Sequence, residues 1–164
     1  MAFDRRTLLS GGAMLALTAV SGLGRAAAAA PAKRPKSPFQ LSEAEWRKRL
    51  TPVQYASLRE AATERPYSSP LNDEHRKGTF LCAGCGQKLY DSATKFESHT
   101  GWPSFWRPLP KAIGTMIDHD LGFARTEVHC ARCGGHHGHV FKDGPPPTGL
   151  RYCMNGISLK FVPA

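Results

Sequence analysis

Long apolar runs are missing from this 164-residue chain. Its most hydrophobic stretch, Gly11 to Val20, is Ala- and Gly-rich, too short for a stable span and followed by Arg25, so no stable membrane anchor is expected. Acidic residues are scarce too, 13 against 22 Lys and Arg, for a formal charge of +9. Beyond residue 40, however, the two signs are interspersed with no block of either, so charge alone gives no case for a nucleic-acid partner. Heptads and long apolar edges are absent as well, which makes a monomer the expected state. At this length, with 41% hydrophobic residues, the chain builds one compact domain and hardly two.

Turn formers are abundant: 16 Gly and 13 Pro, many in the second half. The chain therefore reads as rich in strands and turns.

Residues 1–30 stand apart. Arg5-Arg6 before Leu8-Leu9, a short apolar stretch and the alanine run Ala26–Ala30 follow an export-signal layout, and the paired arginines resemble a twin-arginine signal. This predicts an exported, periplasmic protein, folded before it crosses the membrane. Residues 31–40, with Pro31, Pro35 and Pro38, read as a linker, leaving 41–164 as the domain.

In that domain, Ser42 followed by Glu45 forms a capping box that starts a short helix through Trp46 to about Leu50, and Thr51-Pro52 caps a second one through Tyr55, Leu58 and Ala62. After Pro66, strand patterns occur at Gly78–Leu81, Leu89–Tyr90, Phe123–His129, His139–Phe141 and Ser158–Val162. The expected fold is mainly β, with antiparallel sheets and short N-terminal helices as a coat.

The five cysteines divide four plus one. Cys82-Ala-Gly-Cys85 and Cys130-Ala-Arg-Cys133 are matched knuckles, each beside glycine, and together they supply four thiolates for one tetrahedral zinc. Because 44 residues separate Cys85 from Cys130, such an ion would staple two distant turns; four sulfurs leave it no open position for catalysis. Two redox disulfides within the knuckles are the rival reading.

Cys153 is left without a partner. On a strand it shares a face with Arg151, which favours the thiolate, and with Asn155, whose amide can orient a polar group. His136, His137 and His139 lie 14 to 17 residues upstream across a proline-rich turn, so a hairpin would bring them close. A buried, inert cysteine and histidines that bind metal are the alternatives. Gly101-Trp102-Pro103-Ser104-Phe105-Trp106 is either core packing or, beside a nucleophile, an apolar wall for a group as small as a methyl.

Taken together, these motifs match a family. With Thr63-Glu64-Arg65-Pro66, both knuckles, Gly101–Phe105, His136-x-Gly138-His139-Val140-Phe141, Asp143-Gly144-Pro145 and Gly149-x-Arg151-Tyr152-Cys153-x-Asn155, residues 41–161 closely resemble the B-type methionine sulfoxide reductases. The resemblance implies a zinc-stapled β-tent fold acting on methionine-R-sulfoxide. Cys153 is the implied nucleophile, Trp102 receives the substrate methyl with Phe105 beside it, and His136, His139 and Asn155 organise the polar side. Arg151 and Asp143 are implied as supports. The implied chemistry is thiolate attack on the sulfoxide sulfur, proton delivery by His139 or His136, and a sulfenic acid at Cys153.

The chain departs from part of the family at Thr100, where some members carry a resolving cysteine. With four cysteines assigned to zinc, an external, thioredoxin-like thiol is the expected reductant. His137 replaces a more usual apolar residue, and His99 precedes Thr100, with no role assigned to either. A zinc-ribbon module for nucleic acid and a purely structural secreted domain are the rival classes.

Overall fold

The computed structural model describes residues 37–119 and 122–164. The proposed export signal and linker residues 31–36 lie outside them. Among the described residues, no helix is long and apolar enough to cross a membrane. The last part of the expected linker is docked onto the domain: the Phe39 amide donates to the Arg132 carbonyl at 3.0 Å, and its ring lies 5.8 Å from that of Trp46.

Two helices open the domain, α1 (Glu43–Arg49) and α2 (Pro52–Glu60). Ser42 and Thr51 both close reciprocal capping boxes, with Glu45 and Gln54, so the first-turn amides of each helix are satisfied locally. Trp46, Leu50, Tyr55 and Leu58 form the buried face. It packs over the cysteine knuckles: Arg49 donates to the Gly84 carbonyl at 2.5 Å and Arg59 to that of Cys133 at 3.0 Å.

Nine strands follow among the described residues. They are β1 (Gly78–Cys82), β2 (Lys88–Asp91), β3 (Lys95–Phe96), β4 (Ser104–Phe105), β5 (Ile113–Asp118), β6 (Arg125–Cys130), β7 (His136–Phe141), β8 (Arg151–Met154) and β9 (Leu159–Pro163). All pairings are antiparallel, in sheets ordered β2-β1-β9 and β3-β4-β8-β7-β6-β5. The mainly β fold with short N-terminal helices is thus the observed one.

Aromatic side chains join the two sheets. Phe105 stacks on Tyr90 at 4.3 Å and meets Phe80 edge-on at 4.9 Å, while the Tyr90 hydroxyl donates to Met154 Sδ at 3.2 Å. Phe80, Leu89, Tyr90, Phe105, Val128 and Met154 are fully buried. Fixed aromatic packing of this kind holds β4 and β8, and the cysteine on β8, in one geometry.

Strand β5 has no counterpart in the sequence reading. Its glycine, Gly114, lies opposite His129 on β6, and a side chain there would collide with that imidazole. Glycine here makes room for a buried neighbour, although in a sequence it reads as a break.

Candidate active site

Cys153 is flanked on both sides by sheet neighbours. Its Cα partners are His139 on β7 and Ser104 on β4. The Thr100 hydroxyl lies 3.8 Å from Sγ and belongs to a chain of hydroxyls, Thr100 to Ser98 at 2.8 Å and Ser98 to Ser104 at 2.7 Å. Burial pushes the Cys153 thiol above its ordinary pKa; the Thr100 hydrogen bond and then the Arg151 charge pull the other way. Arg151 does act toward the thiolate, but desolvation outweighs it. At neutral pH the resting group is therefore the thiol.

Arg151 is held on the Cys153 side of β8 by a bidentate pair with Asp143, at 2.9 and 2.7 Å, and covers the Phe141 ring at 4.5 Å. That contact holds the Asp143 carboxyl below its ordinary pKa.

The histidines depend on an irregular strand. In a regular strand, residues three apart face opposite ways. Here the register slips between Val128 and His129 on β6, which makes His137 an extra residue in β7 and brings His136 and His139 onto one face, rings 5.4 Å apart. Gly138 permits the bulge: its φ is +148°, and a Cβ there would overlap the Cys153 carbonyl oxygen. His137 is fully buried, with its imidazole in reach of the Cys130 sulfur.

Each of the two co-facial imidazoles meets a carboxylate. His136 Nδ1 lies 2.7 Å from Glu127 Oε1, and His139 Nε2 lies 2.7 Å from Asp118 Oδ2. Arg125 Nη2 donates to the same Asp118 oxygen at 2.6 Å. Burial lowers the His139 pKa, against the raising effect of its bond to Asp118, so its resting ring is neutral at neutral pH.

A loop closes the remaining side. The Glu64 amide donates to Asn155 Oδ1 at 3.1 Å, and Trp102 Nε1 donates to the Glu64 carbonyl at 3.2 Å. The Glu64 carboxylate accepts from the Gly156 and Ile157 amides at 2.5 and 2.9 Å. Asn155 lies just past β8, where its amide donates to the His137 carbonyl at 2.7 Å.

These elements enclose a cavity of about 130 Å³ that brings together Trp102, His139, Cys153 and Asn155. Sites for whole drug-sized ligands run to roughly 300–1,000 Å³, so this one fits the tip of a side chain. A larger groove of about 590 Å³ runs along α2 and β9, but no cysteine or histidine lines it.

Four residues expected at the site do not line this cavity. Phe105 lies wholly in the core: with Ser104 opposite Cys153, strand alternation turns Phe105 to the other face, against Tyr90. It is not a wall of the cavity. His136 is buried against His139 and Glu127, outside the lining. Asp143 is largely exposed and acts through Arg151, which itself stays behind the lining.

The four knuckle cysteines converge, all unbonded, with sulfurs within 4.8 Å of one another. Cys82 to Cys133 and Cys85 to Cys130 are each 3.6 Å. A tetrahedron with metal–sulfur bonds of about 2.3 Å has sulfurs about 3.8 Å apart, so the cluster fits one metal ion; a disulfide would need about 2.05 Å. All four sulfurs converge on one point with no bond between any two, which favours one shared metal ion over a redox pair within either knuckle.

Comparison with known proteins bears on the whole domain. The SelR domain matches residues 50–163. The chain belongs to the MsrB family. It is 54% identical over 126 residues to the peptide methionine sulfoxide reductase MsrB of Bradyrhizobium diazoefficiens, covering 74% of this chain and 88% of the relative. The MsrB of Agrobacterium fabrum is 53% identical over 123 residues, 74% of this chain and 91% of the relative, and that of Methanosarcina barkeri 53% over 121, 73% and 85%. Membership in the MsrB family accounts for the four-cysteine cluster as part of a reductase domain, which disfavours the zinc-ribbon reading.

Sequence reasoning gave no role to several residues of this cavity. Arg125 also lines it, and Asp118 and Glu127 hold the histidines; Thr63, Gly138 and Phe141 in the lining and Glu64 in the loop were named only as motif residues. One signal was available: Glu127 is an acidic residue inside the apolar end of a strand, buried in the structure.

Proposed function

We propose that this chain reduces methionine-R-sulfoxide in oxidised proteins and peptides to methionine, with Cys153 as nucleophile. The observation that carries the reading is the placing of one thiol, one imidazole and the Trp102 ring around a cavity sized for a side-chain tip.

Thiol and imidazole both start neutral. His139 takes the Cys153 proton as the sulfur attacks the sulfoxide sulfur, and then returns it to the oxygen as the sulfur–oxygen bond is transferred to the enzyme. Methionine departs and Cys153 becomes a sulfenic acid, with one oxygen moved, one proton conserved and two electrons taken from the cysteine. Trp102 faces the methyl, and Asn155, its Oδ1 committed to Glu64, has its NH₂ left for the polar side.

Cys82, Cys85, Cys130 and Cys133 would hold zinc, which supplies structural cross-linking and no catalytic position. The sulfenic acid is reduced back to the Cys153 thiol, with loss of water, by an external dithiol of the thioredoxin type, because Thr100 stands beside Sγ where a second redox thiol would be needed. The N-terminal pattern supports export to the periplasm by the twin-arginine route. The protein works as a monomer.

Replacing Cys153 by serine tests this. Cys153→Ser should abolish reduction of methionine-R-sulfoxide while zinc content and thermal unfolding stay unchanged; surviving activity would refute the assignment.

A further inference from the structure

Two carboxylate–imidazole pairs stand behind the cavity, and they grip opposite nitrogens. Glu127 takes Nδ1 of His136, whereas Asp118 takes Nε2 of His139. Asp118 is itself fixed: it ends β5 directly opposite Arg125 on β6, and its Oδ2 accepts from Arg125 Nη2 as well as meeting the imidazole. Arg125 has only donors to offer, so the shared oxygen must be an acceptor, and His139 Nε2 must bring the hydrogen. A neutral imidazole has one N–H. His139 then carries its lone pair on Nδ1.

We propose that Asp118, clamped by Arg125, is a positioning residue that fixes the Nε2–H tautomer of His139, so that Nδ1 receives the Cys153 proton and returns it to the sulfoxide oxygen. The assignment rests on the reductase reading and deepens it, since it separates the two histidines. His139 lines the cavity and faces Cys153 across the sheet; His136 stands outside the lining, with Nε2 buried and unbonded. Only His139 joins a pocket-facing position to a fixed tautomer. Asp118 touches neither thiol nor cavity and acts through the ring.

The groups around His139 set the sign of the test. They are Asp118 from β5, Arg125 and Glu127 from β6, His136 from β7 and Cys153 from β8. Burial is the main effect lowering the His139 pKa; Asp118 raises it, and Arg125 and His136 lower it further. Without the carboxylate the ring becomes harder to protonate. The acid limb of the rate, where His139 takes up a proton and can no longer accept one from Cys153, must therefore move to lower pH.

Single-turnover formation of Cys153 sulfenic acid, followed by mass spectrometry between about pH 5 and 9, reads this directly. Asp118→Asn and Asp118→Ala should slow it by about ten-fold or more, a fraction of the 10²- to 10⁴-fold typical of proton transfer by a placed side chain. The acid limb should move downward, with zinc content unchanged. A merely structural defect would lower the amplitude and leave the limb in place, and that result would overturn the proposal. Nitrogen-15 spectra of the wild-type protein provide a second readout that needs neither variant nor turnover. His139 should show the Nε2–H tautomer; an Nδ1–H signature would overturn the proposal even in an active enzyme. Failure of the wild-type protein to oxidise Cys153 with methionine-R-sulfoxide would instead sink the reductase reading.

Discussion

His139 and Cys153 occupy directly opposed positions on β7 and β8, so the sheet itself, with no loop between them, sets the separation of imidazole and thiol. Both groups rest neutral for the same reason. Burial lifts the thiol pKa and lowers that of the imidazole, while the partners that oppose burial, Thr100 and Arg151 for one and Asp118 for the other, are outweighed. A neutral pair costs less to desolvate than a thiolate–imidazolium pair.

The first prediction concerns the thiol. Because its pKa is raised, alkylation of Cys153 by iodoacetamide should be slow at neutral pH and rise only above the range in which an ordinary cysteine ionises. Arg151 opposes the shift, so Arg151→Met must raise the pKa further. A nearby opposite charge is worth about one unit or more, so alkylation at fixed pH should slow by about ten-fold. Peptide mass spectrometry over a time course checks both; faster alkylation of the variant would contradict the electrostatic role.

The second prediction concerns the bulge. Gly138 combines φ +148° with direct apposition to the Cys153 carbonyl. Gly138→Ala forces either β7 away from β8 or the bulge out of register, at a cost of about 3 kcal/mol or more, as expected for strain at a special φ/ψ added to overpacking. Thermal unfolding should show the loss. Activity should fall further than stability explains, because His136 and His139 share a face only while the bulge exists.

Legibility followed the range of the interactions. Helix starts depend on residues three apart, and Ser42–Glu45 and Thr51–Gln54 proved to be closed capping boxes. The knuckles were equally plain, as local pairs. The bulge was not legible, because a slip at Val128/His129 depends on pairing between strands. Phe105 was misplaced for the same reason: its facing is decided by Ser104 pairing with Cys153, 49 residues away in the chain. Asp118 was missed because β5 contains Gly114, which in a sequence reads as a break although it accommodates His129; Arg125, on a strand that the sequence did show, was missed because its role depends on the cross-strand pairing with Asp118.

The third prediction separates stability from chemistry. Cys82 is buried beneath α1 and α2 with its sulfur 3.6 Å from that of Cys133. Cys82→Ser should give protein with well under about one zinc per chain by elemental analysis and a markedly lower unfolding temperature, since metal binding at such sites is folding free energy, about 10–16 kcal/mol for small zinc modules. Chelation of the wild-type protein should do the same. Full zinc occupancy in the variant would contradict a four-sulfur site.

The last prediction follows the oxygen after transfer. Thr100 Oγ1 lies 3.8 Å from Cys153 Sγ, and the four other cysteines are gathered in their own cluster. One turnover without reductant should therefore leave a sulfenic acid on Cys153 that reacts with dimedone, and no intramolecular disulfide. Thr100→Cys places a second sulfur next to the first, and the sulfenic acid should then condense with it, losing water and the dimedone adduct together. The variant should exchange its dependence on direct attack by an external thiol at the sulfenic acid for reduction of an internal disulfide. An intramolecular disulfide at Cys153 in the wild-type protein would mean that a knuckle cysteine leaves its cluster during turnover, and would overturn both the external-reductant mechanism and the purely structural role of the metal site.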